Sequence, residues 1–346
     1  MHFARFALIL LLAASSLHQA TQANDETSTA SSSQSTASFS IVIHGGAGGN
    51  PDRWSDEYKQ QRISGLSKAL DLGVQRLESG GKAIDVVEEV VRLLEDDPTF
   101  NAGRGCVLNE TGEHELDASI MDGQTLACGA VASVSTIRHP ISLAKRVMSE
   151  TKHVLLMGEG AEKFGALQGL ETATADHFRT SERLNQWKAW KQRNTGAELG
   201  AILPLPRRLE EPYFGTVGCV VVDQHGNLAA ATSTGGLMGK KWGRVGDSPV
   251  IGAGNYANNA SCAVSGTGVG EEFIRHNIAA DVSARMLYGD KNLAEAARES
   301  IQSLPENCGG IIAVDKQGNV VMEFNTKAMS RAFATSEGKR GVELAR

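Results

Sequence analysis

The stretch PYFGTVGCVVVDQHGNLAAATSTGG, residues 212–236, decides the fold because it places a threonine at the start of a buried strand. A loop that contains proline ends at Gly215 and Thr216, and an apolar, β-branched run begins at the threonine itself. The run turns at a segment that contains glycine and returns as a second apolar run ending at Thr234. This pattern predicts a β-hairpin in which Thr216 and Thr234 lie side by side.

A threonine at this junction has a possible chemical role. Its hydroxyl is a poor nucleophile until a base removes the proton. Cleavage just before Thr216 would free its α-amine, which titrates at about pH 8 and can act as that base. The same hydroxyl can make the cut, and Gly215 would help because a residue without Cβ tolerates a strained, exposed peptide. Since glycine is common in turns, the Gly-Thr pair alone favours an ordinary turn.

Length, composition and charge are those of a globular protein. The 346 residues are 41% hydrophobic and 21% charged, which suits one large domain or two modest ones. A formal net charge of -6, with no dense Lys/Arg cluster, argues against a nucleic-acid partner. The five cysteines are scattered without metal-ligand spacing, so we interpret them as free thiols without a chemical role.

The N-terminus has the layout of a secretory signal. A charged start is followed by the short apolar run FALILLLAA and by small residues, with cleavage expected near Ala23. The run is too short for a membrane span, so we predict a signal peptide over 1–23 and no membrane association after its removal. Residues 24–38 are rich in Ser and Thr and are predicted to be a disordered tether. The protein is therefore expected to be exported, to the periplasm or outside the cell.

Helices and strands are predicted along both halves of the chain. Apolar residues at helical spacing predict the helices, and short apolar runs bounded by turn residues predict the strands. The predicted helices cover 63–77, 84–94, 140–150, 159–169, 270–288 and 292–304, and the predicted strands cover 39–44, 114–121, 126–135, 153–158 and the arms of two look-alike hairpins at 220–233 and 311–324.

The two halves meet at a segment of different character. Residues 171–214 include one possible helix at LNQWKAWKQR and then a run with three prolines, which predicts a flexible linker or surface loop. Helices and antiparallel hairpins on both sides of it favour an α+β layered fold, and the pattern alone does not choose among such folds.

Charged and hydroxyl residues after the hairpin could form a substrate site. Arg244 and Asp247 flank a Val-Gly spacer in a glycine-rich loop, and an arginine fork with an aspartate suits the carboxylate and ammonium of an α-amino acid. A surface salt bridge is the simpler interpretation of such a pair. Thr267 and Gly268 stand before a predicted helix, where they could hold an oxyanion or simply cap the helix.

Seven ordered motifs carry a resemblance to a known family. They are HGGAG at 44–48, LLEDDPTFNAGRG at 93–105, HELDASIMDG at 114–123, GTVGCVVVD at 215–223, NLAAATSTGG at 227–236, GRVGDSPVIGAGNYANN at 243–259 and VSGTGVGEEFIR at 264–275. Together they resemble the isoaspartyl peptidase/L-asparaginase family, the plant-type asparaginases among the N-terminal nucleophile hydrolases. The resemblance extends over about residues 40–333.

The resemblance implies a four-layer αββα sandwich and a precursor that cuts itself between Gly215 and Thr216. An α subunit, residues 39–215, and a β subunit, residues 216–346, would then form one domain and pair as α2β2. The long 171–214 linker and the exported N-terminus depart from the family pattern.

The resemblance also implies roles for individual residues. Thr216 would be the nucleophile and Thr234 would orient or activate it, with the oxyanion held by Thr267 and Gly268. Arg244 would bind the substrate α-carboxylate and Asp247 its α-amine. The substrate pocket would be completed by Thr267, Gly268, Gly270 and Asn101. No cofactor is implied for catalysis, but a structural sodium ion is, held by backbone carbonyls at Leu94, Glu95, Asp97, Phe100, Ala102 and Arg104.

The activity implied is removal of N-terminal isoaspartyl residues from short peptides and hydrolysis of L-asparagine. Glycosylasparaginase is an alternative on the same scaffold, although that branch usually has Asp where this chain has Gly215. A threonine endopeptidase of the taspase branch fits less well because the amino-acid clamp is present. A third alternative is a homologue that binds amino acids but never cuts itself.

Overall fold

A computed structural model describes residues 38–194 and 215–346 of the chain. The predicted signal peptide, all but the last residue of the predicted tether, and residues 195–214 of the predicted linker lie outside these ranges. Within them the protein is a mixed α+β structure with two β-sheets. No helix in the described ranges has the length and apolar character needed to cross a membrane.

The strands of the described residues are joined in the orders β12-β11-β1-β5-β6-β2-β3-β4 and β10-β9-β8-β7. Their bounds are β1 Ser40–Ala47, β2 Leu116–Asp122, β3 Cys128–Val134, β4 Leu155–Met157, β5 Val217–Val222, β6 Leu228–Thr234, β7 Asn255–Ala257, β8 Cys262–Gly268, β9 Gly309–Asp315, β10 Val320–Phe324, β11 Ala328–Thr335 and β12 Arg340–Ala345.

The α-helices of the same ranges are α1 Asp56–Glu78, α2 Ala83–Asp96, α3 Pro140–Glu150, α4 Gly158–Leu167, α5 Ala175–Phe178, α6 Ser181–Asn194, α7 Gly270–His276, α8 Ile278–Tyr288 and α9 Leu293–Gln302. Helix α1 begins earlier than its apolar period predicts, because the Ser55 hydroxyl caps it by accepting from the Tyr58 amide at 3.1 Å.

Both sheets are covered by helices on one face and contact each other on the other. The apolar faces of α1 and α2, which include Leu70 and Val91, are buried against the eight-stranded sheet. Helices α8 and α9 pack against the four-stranded sheet. Between the sheets, Val220 of β5 and Ile312 of β9 belong to one fully buried cluster. Each such side chain contributes about 1.5–3 kcal/mol of burial free energy, so this contact holds the two sheets at a defined separation.

The decisive hairpin forms as predicted. Strands β5 and β6 are antiparallel, with Val217 opposite Ser233, and this register places Thr216 opposite Thr234. The connecting turn is closed by the Asp223 carboxylate, and Gly226 supplies a backbone φ of 74°. The neighbours of the hairpin in the sheet are β1 and β2.

Several parts of the described chain differ from the sequence pattern, and the strands β7, β8, β11 and β12 are not among the predicted elements. The helix predicted over 270–288 is divided into α7 and α8 at Asn277, whose φ of 49° is left-handed and ends the first helix. The possible helix at LNQWKAWKQR lies within α6, and this first part of the predicted linker is attached to earlier loops. Arg183 Nε donates to the Gly105 carbonyl at 2.6 Å, and Trp187 Nε1 donates to the Asn109 carbonyl at 2.8 Å.

Candidate active site

The two threonine hydroxyls of the hairpin are in direct contact. Thr216 Oγ1 and Thr234 Oγ1 lie 2.9 Å apart, within hydrogen-bond distance. Thr216 is half-buried just before β5, and Thr234 is the buried last residue of β6. Thr234 Oγ1 also accepts from the Gly236 amide at 2.9 Å, so its own proton is free to point at Thr216 Oγ1. The pair therefore holds the Thr216 oxygen in one place and leaves its second lone pair available.

Gly215 is held by a close approach of Asn101. The Gly215 carbonyl accepts from the Asn101 backbone amide at 3.0 Å. A Cβ on Gly215 would lie 2.7 Å from Asn101 Cβ, so a larger residue at position 215 would push the two segments apart. Gly215 is buried. The sequence argument for glycine, a strained and exposed peptide, therefore differs from the structural reason, which is this packing contact.

Asn101 links the loop after α2 to the end of β6. Its side-chain Nδ2 donates to the Gly236 carbonyl at 2.8 Å, and its Oδ1 accepts from the Val107 amide at 2.8 Å. Its carbonyl accepts from the Gly235 amide at 3.0 Å. All these bonds hold the backbone around the Thr216–Thr234 pair, which gives Asn101 a supporting place in the site.

Arg244, Asp247 and Gly270 come together at the start of α7. A Cβ on Gly270 would lie 2.8 Å from both Arg244 Nη2 and Asp247 Oδ1, so only glycine lets both side chains approach the helix. Asp247 is buried, and its Oδ2 has no hydrogen-bond partner among the described residues. Burial raises the pKa of Asp247 to about 7. An unpartnered buried carboxylate is a suitable place for an ammonium group.

Arg244 has a partner that the sequence argument did not include. Its Nε and Nη2 donate to the two carboxylate oxygens of Glu271 at 3.0 and 2.9 Å. Although burial acts to lower the pKa of Arg244, the hydrogen bonds and charge of Glu271 raise it above its ordinary value. The double glutamate in VGEEF, at a helix start close to a predicted anion-binding arginine, is the signal that could have indicated this pair.

Thr267 and Gly268 end strand β8, two residues before α7 begins. Thr267 is fully buried, and its Oγ1 accepts from the Ala47 amide at the end of β1 at 3.3 Å. Two residues earlier on β8, Ser265 Oγ lies 2.9 Å from His44 Nε2. The other ring nitrogen, His44 Nδ1, lies 3.0 Å from the Thr216 carbonyl. The ends of β8, β1 and β5 are therefore adjacent, and Thr267 and Gly268 lie on the same side of the protein as Thr216.

The predicted sodium loop after α2 is crowded with backbone carbonyls. A Cβ on Gly103 would overlap the Glu95 carbonyl, and a Cβ on Gly105 would overlap those of Pro98 and Phe100. Carbonyl oxygens suit hard cations, so these residues fit a sodium ion. No cluster of three or more His, Cys, Asp or Glu in the described ranges could hold a metal.

The other predicted ligand positions differ in burial and in hydrogen bonding. The Phe100 and Ala102 side chains are fully buried and the Arg104 side chain is exposed. The Leu94 and Asp97 carbonyls accept from the Asp97 and Phe100 amides, both at 3.3 Å, which are long bonds.

The Glu95 side chain has a separate function in the loop. Its Oε1 accepts from the Ser233 hydroxyl at 2.6 Å and from the Ile141 amide at 3.1 Å. Burial raises the pKa of Glu95 to about 8. Because Ser233 precedes Thr234, this carboxyl group connects the loop to the strand that carries the second threonine.

Comparison with known proteins identifies the family of this chain. A family model described as asparaginase matches residues 37–343. The chain belongs to this asparaginase family.

Curated relatives are similar over most of their length. The isoaspartyl peptidase of Salmonella typhimurium is 50% identical over 297 residues, which are 85% of this chain and 94% of that protein. The isoaspartyl peptidase of Escherichia coli is 48% identical over 85% of this chain and 92% of its own. The probable isoaspartyl peptidase/L-asparaginase 2 of Arabidopsis thaliana is 44% identical, covering 88% of this chain and 98% of its own.

Proposed function

We propose that this protein is an autoprocessing threonine hydrolase that removes N-terminal isoaspartyl residues from short peptides and hydrolyses L-asparagine. The observation that carries the proposal is the 2.9 Å contact between Thr216 Oγ1 and Thr234 Oγ1. The names of the relatives, isoaspartyl peptidase and isoaspartyl peptidase/L-asparaginase, support the substrate class.

The first reaction is the cleavage of the chain before Thr216. Thr216 Oγ1 attacks the Gly215 carbonyl carbon, and the Asn101 amide, 3.0 Å from that carbonyl oxygen, stabilises the negative charge that develops on it. The C–N bond breaks, the Thr216 nitrogen takes the proton of the hydroxyl, and an ester links Gly215 to Thr216 Oγ1. Water hydrolyses the ester, which leaves a carboxylate on Gly215 and a free α-amine and hydroxyl on Thr216.

The second reaction uses the groups that the first has released. The Thr216 α-amine takes the hydroxyl proton while Oγ1 attacks the side-chain carbonyl of the β-aspartyl unit. Thr267 and Gly268 stabilise the oxyanion, and Thr234 holds Oγ1 in line. The amine or ammonia leaves with the proton, and water then hydrolyses the β-aspartyl ester to aspartate.

The substrate is selected by its own α-amine and α-carboxylate. The unpartnered Oδ2 of Asp247 accepts the ammonium, and Gly270 gives the substrate access to both clamp residues. The carboxylate replaces Glu271 as the partner of the Arg244 guanidinium, a fork that fits a planar carboxylate in two hydrogen bonds. A substrate without the ammonium leaves the buried Asp247 carboxylate unpaired, and one without the carboxylate gains no contact with Arg244, which stays with Glu271.

The finer architecture is also proposed. Two sheets that contact each other, each with helices on its other face, support an αββα sandwich of the N-terminal nucleophile hydrolase type. The α subunit would comprise residues 39–215 and the β subunit residues 216–346, and two such units would pair as α2β2. The signal-like start, residues 1–23, supports export to the periplasm or the medium.

A structural sodium ion fits the loop after α2. The carbonyls at the six predicted positions, Leu94, Glu95, Asp97, Phe100, Ala102 and Arg104, would hold it. The ion would offset the repulsion between carbonyl oxygens that point toward one another. It would take no part in bond breaking. The loop in turn holds Asn101 beside Gly215.

A panel of blocked substrates tests the proposal. The processed protein is assayed with β-Asp-Leu, with its N-acetyl and α-amide derivatives, with L-asparagine, with α-Asp-Leu and with N-acetylglucosaminyl-asparagine. We expect turnover of β-Asp-Leu and L-asparagine only, because the blocked peptides each lose one clamp contact. Turnover of the glycosylated asparagine in preference to β-Asp-Leu would establish the alternative activity, and equal turnover of blocked and free peptides would refute the clamp.

A further inference from the structure

After cleavage, Thr216 is a chain terminus, and terminal residues are disordered unless something holds them. The covalent link to Gly215 is then gone, yet the nucleophile must stay within a fraction of an ångström of its working position. The structure contains a bond that survives the cut. His44 Nδ1 lies 3.0 Å from the Thr216 carbonyl oxygen, on the side of the residue away from the broken peptide.

The His44 ring is fixed in one tautomer. The ring is fully buried, and burial lowers its pKa to about 3, so it is neutral. Because a carbonyl can only accept, Nδ1 carries the proton and donates to Thr216. Nε2 must therefore accept, and its neighbour at 2.9 Å is the Ser265 hydroxyl.

A second hydroxyl completes the chain of hydrogen bonds. Thr232 Oγ1 lies 2.7 Å from Ser265 Oγ and 3.1 Å from the Gly254 carbonyl. Since the single proton of Ser265 points at His44, Thr232 donates its one proton to Ser265 across the shorter contact. The Gly254 carbonyl then takes its hydrogen bond from the Gly266 amide at 2.9 Å. Thr232 donates to Ser265, Ser265 donates to His44, and His44 donates to the Thr216 carbonyl. The three donor–acceptor distances are 2.7, 2.9 and 3.0 Å.

Gly218 leaves the space that this chain needs. A Cβ on Gly218, two residues after Thr216 on β5, would overlap both Ser265 Oγ and His44 Nε2. The register places His44 directly opposite Gly218 on the neighbouring strand β1. Gly218 is therefore a glycine because a side chain would displace Ser265 and His44, and not because the backbone turns there.

We propose that His44, oriented by Ser265 and Thr232, is a positioning residue that holds the freed N-terminal residue Thr216 in place for attack. The inference rests on the proposed function, since it assigns a support to the nucleophile named there. The proposal predicts an effect on the chemical step and none on substrate affinity. The reason is that neither Arg244 nor Asp247 contacts Thr232, Ser265 or His44.

Two substitutions of His44 separate the two ring nitrogens. The amide nitrogen of an asparagine can take the place of Nδ1, whereas that of a glutamine reaches the place of Nε2. We expect His44→Asn to keep kcat within about fivefold of the wild type. We expect His44→Gln to lower kcat by about 10- to 100-fold with KM unchanged, the scale of effect expected for a misplaced reacting group. Rates are taken per processed molecule, with the processed fraction measured by intact mass.

Milder variants keep the test informative if His44→Gln is not processed. Ser265→Ala and Thr232→Val remove successive donors, and we expect kcat to fall by about tenfold and about threefold, in that order, because each is one step further from Thr216. His114→Gln is the matched control. It changes another buried histidine, which donates from Nε2 to the Ser135 carbonyl at 2.7 Å, and should leave kcat unchanged.

Equal losses in His44→Asn and His44→Gln would overturn the inference, as would a loss in Ser265→Ala that appears as raised KM with normal kcat. A fall of kcat in His114→Gln as large as that in His44→Gln would show a general loss of stability instead. Failure of the proposed function has a different result, since Thr216→Ala would then keep its activity whatever the His44 variants do.

Discussion

The hairpins β5–β6 and β9–β10 are built on the same local sequence pattern. In the first, Asp223 Oδ1 accepts from the His225 and Asn227 amides at 2.9 and 3.0 Å. In the second, Asp315 Oδ1 accepts from the Gln317 and Asn319 amides at 3.0 and 2.9 Å. Glycines with left-handed backbone, at φ 74° and 84°, close both turns. Turn chemistry is therefore equal in the two hairpins and cannot account for a difference in function.

The hairpins differ in position and in what lies at their open ends. Strands β5 and β6 are interior strands of the eight-stranded sheet and are buried throughout, whereas β10 is a half-buried edge strand of the four-stranded sheet. At the open end of the first hairpin two hydroxyls meet, on Thr216 and Thr234. At the open end of the second hairpin, Gly310 of β9 pairs with Phe324 of β10. The turn forms the hairpin, and the residues at its opposite end determine whether it carries chemistry.

The largest expected effect comes from removing the nucleophile. Thr216→Ala should abolish both the cut and the hydrolysis of β-Asp-Leu, a loss of at least about 10⁴-fold in kcat/KM, because no other hydroxyl can replace it. The matched change after the second hairpin is Thr326→Ala, which removes a buried hydroxyl that donates to the Ala328 carbonyl at 2.8 Å. That variant should be cut and active. SDS gels and product release measure both properties, and an active Thr216→Ala would remove the distinction between the hairpins.

A smaller effect is expected from the carboxylate that binds the substrate ammonium. The pKa of Asp247 is raised to about 7, so the ionised form is lost as pH falls through that value. The substrate binds to the ionised form, and the Thr216 α-amine, the proposed base, is also protonated below about pH 8. Below about pH 7 both groups are protonated, so kcat/KM should fall by about 100-fold for each pH unit. Asp247→Asn should raise KM and reduce this fall to about tenfold for each unit. Asp315→Asn, a carboxylate of the second hairpin, should keep the wild-type profile, and an unchanged slope in Asp247→Asn would contradict the assignment.

The smallest effect compares the two turn aspartates by stability. Asp223 also accepts from the Ala83 amide at 2.9 Å and so caps α2, where Lys82 provides no side-chain cap. We expect Asp223→Ala to lower the free energy of unfolding by about 2 kcal/mol and Asp315→Ala by about 1 kcal/mol. Urea unfolding in the Thr216→Ala background, which keeps one chain, measures both. Equal losses would show that the cap on α2 contributes nothing.

Much of the hairpin and its threonine pair could be predicted from the sequence because the interactions are local. Asp223, Gly226 and the alternating runs determine register within a few residues, and the register alone brings Thr216 to Thr234. Arg244 and Asp247 are close for the same reason, since only the two residues Val245 and Gly246 separate them.

Other contacts could not be predicted from the sequence because they join distant segments. The Asn101 amide reaches Gly215, and His44 reaches Thr216, only because separate strands and loops end at the same edge of the protein. The double glutamate in VGEEF indicates a possible partner for Arg244, but the spacing does not show that Glu271 is the one. The break between α7 and α8 has a local signal in Asn277, since asparagine tolerates a left-handed backbone, but apolar periodicity runs through it.

The most direct test of the account is the chain composition of the active enzyme. Purified protein with full activity on β-Asp-Leu is analysed by intact mass spectrometry, and the smaller chain is sequenced from its N-terminus. The account predicts two chains, the smaller beginning Thr-Val-Gly-Cys at Thr216. Full activity in a single unbroken chain, or a smaller chain that begins at any other residue, would contradict it.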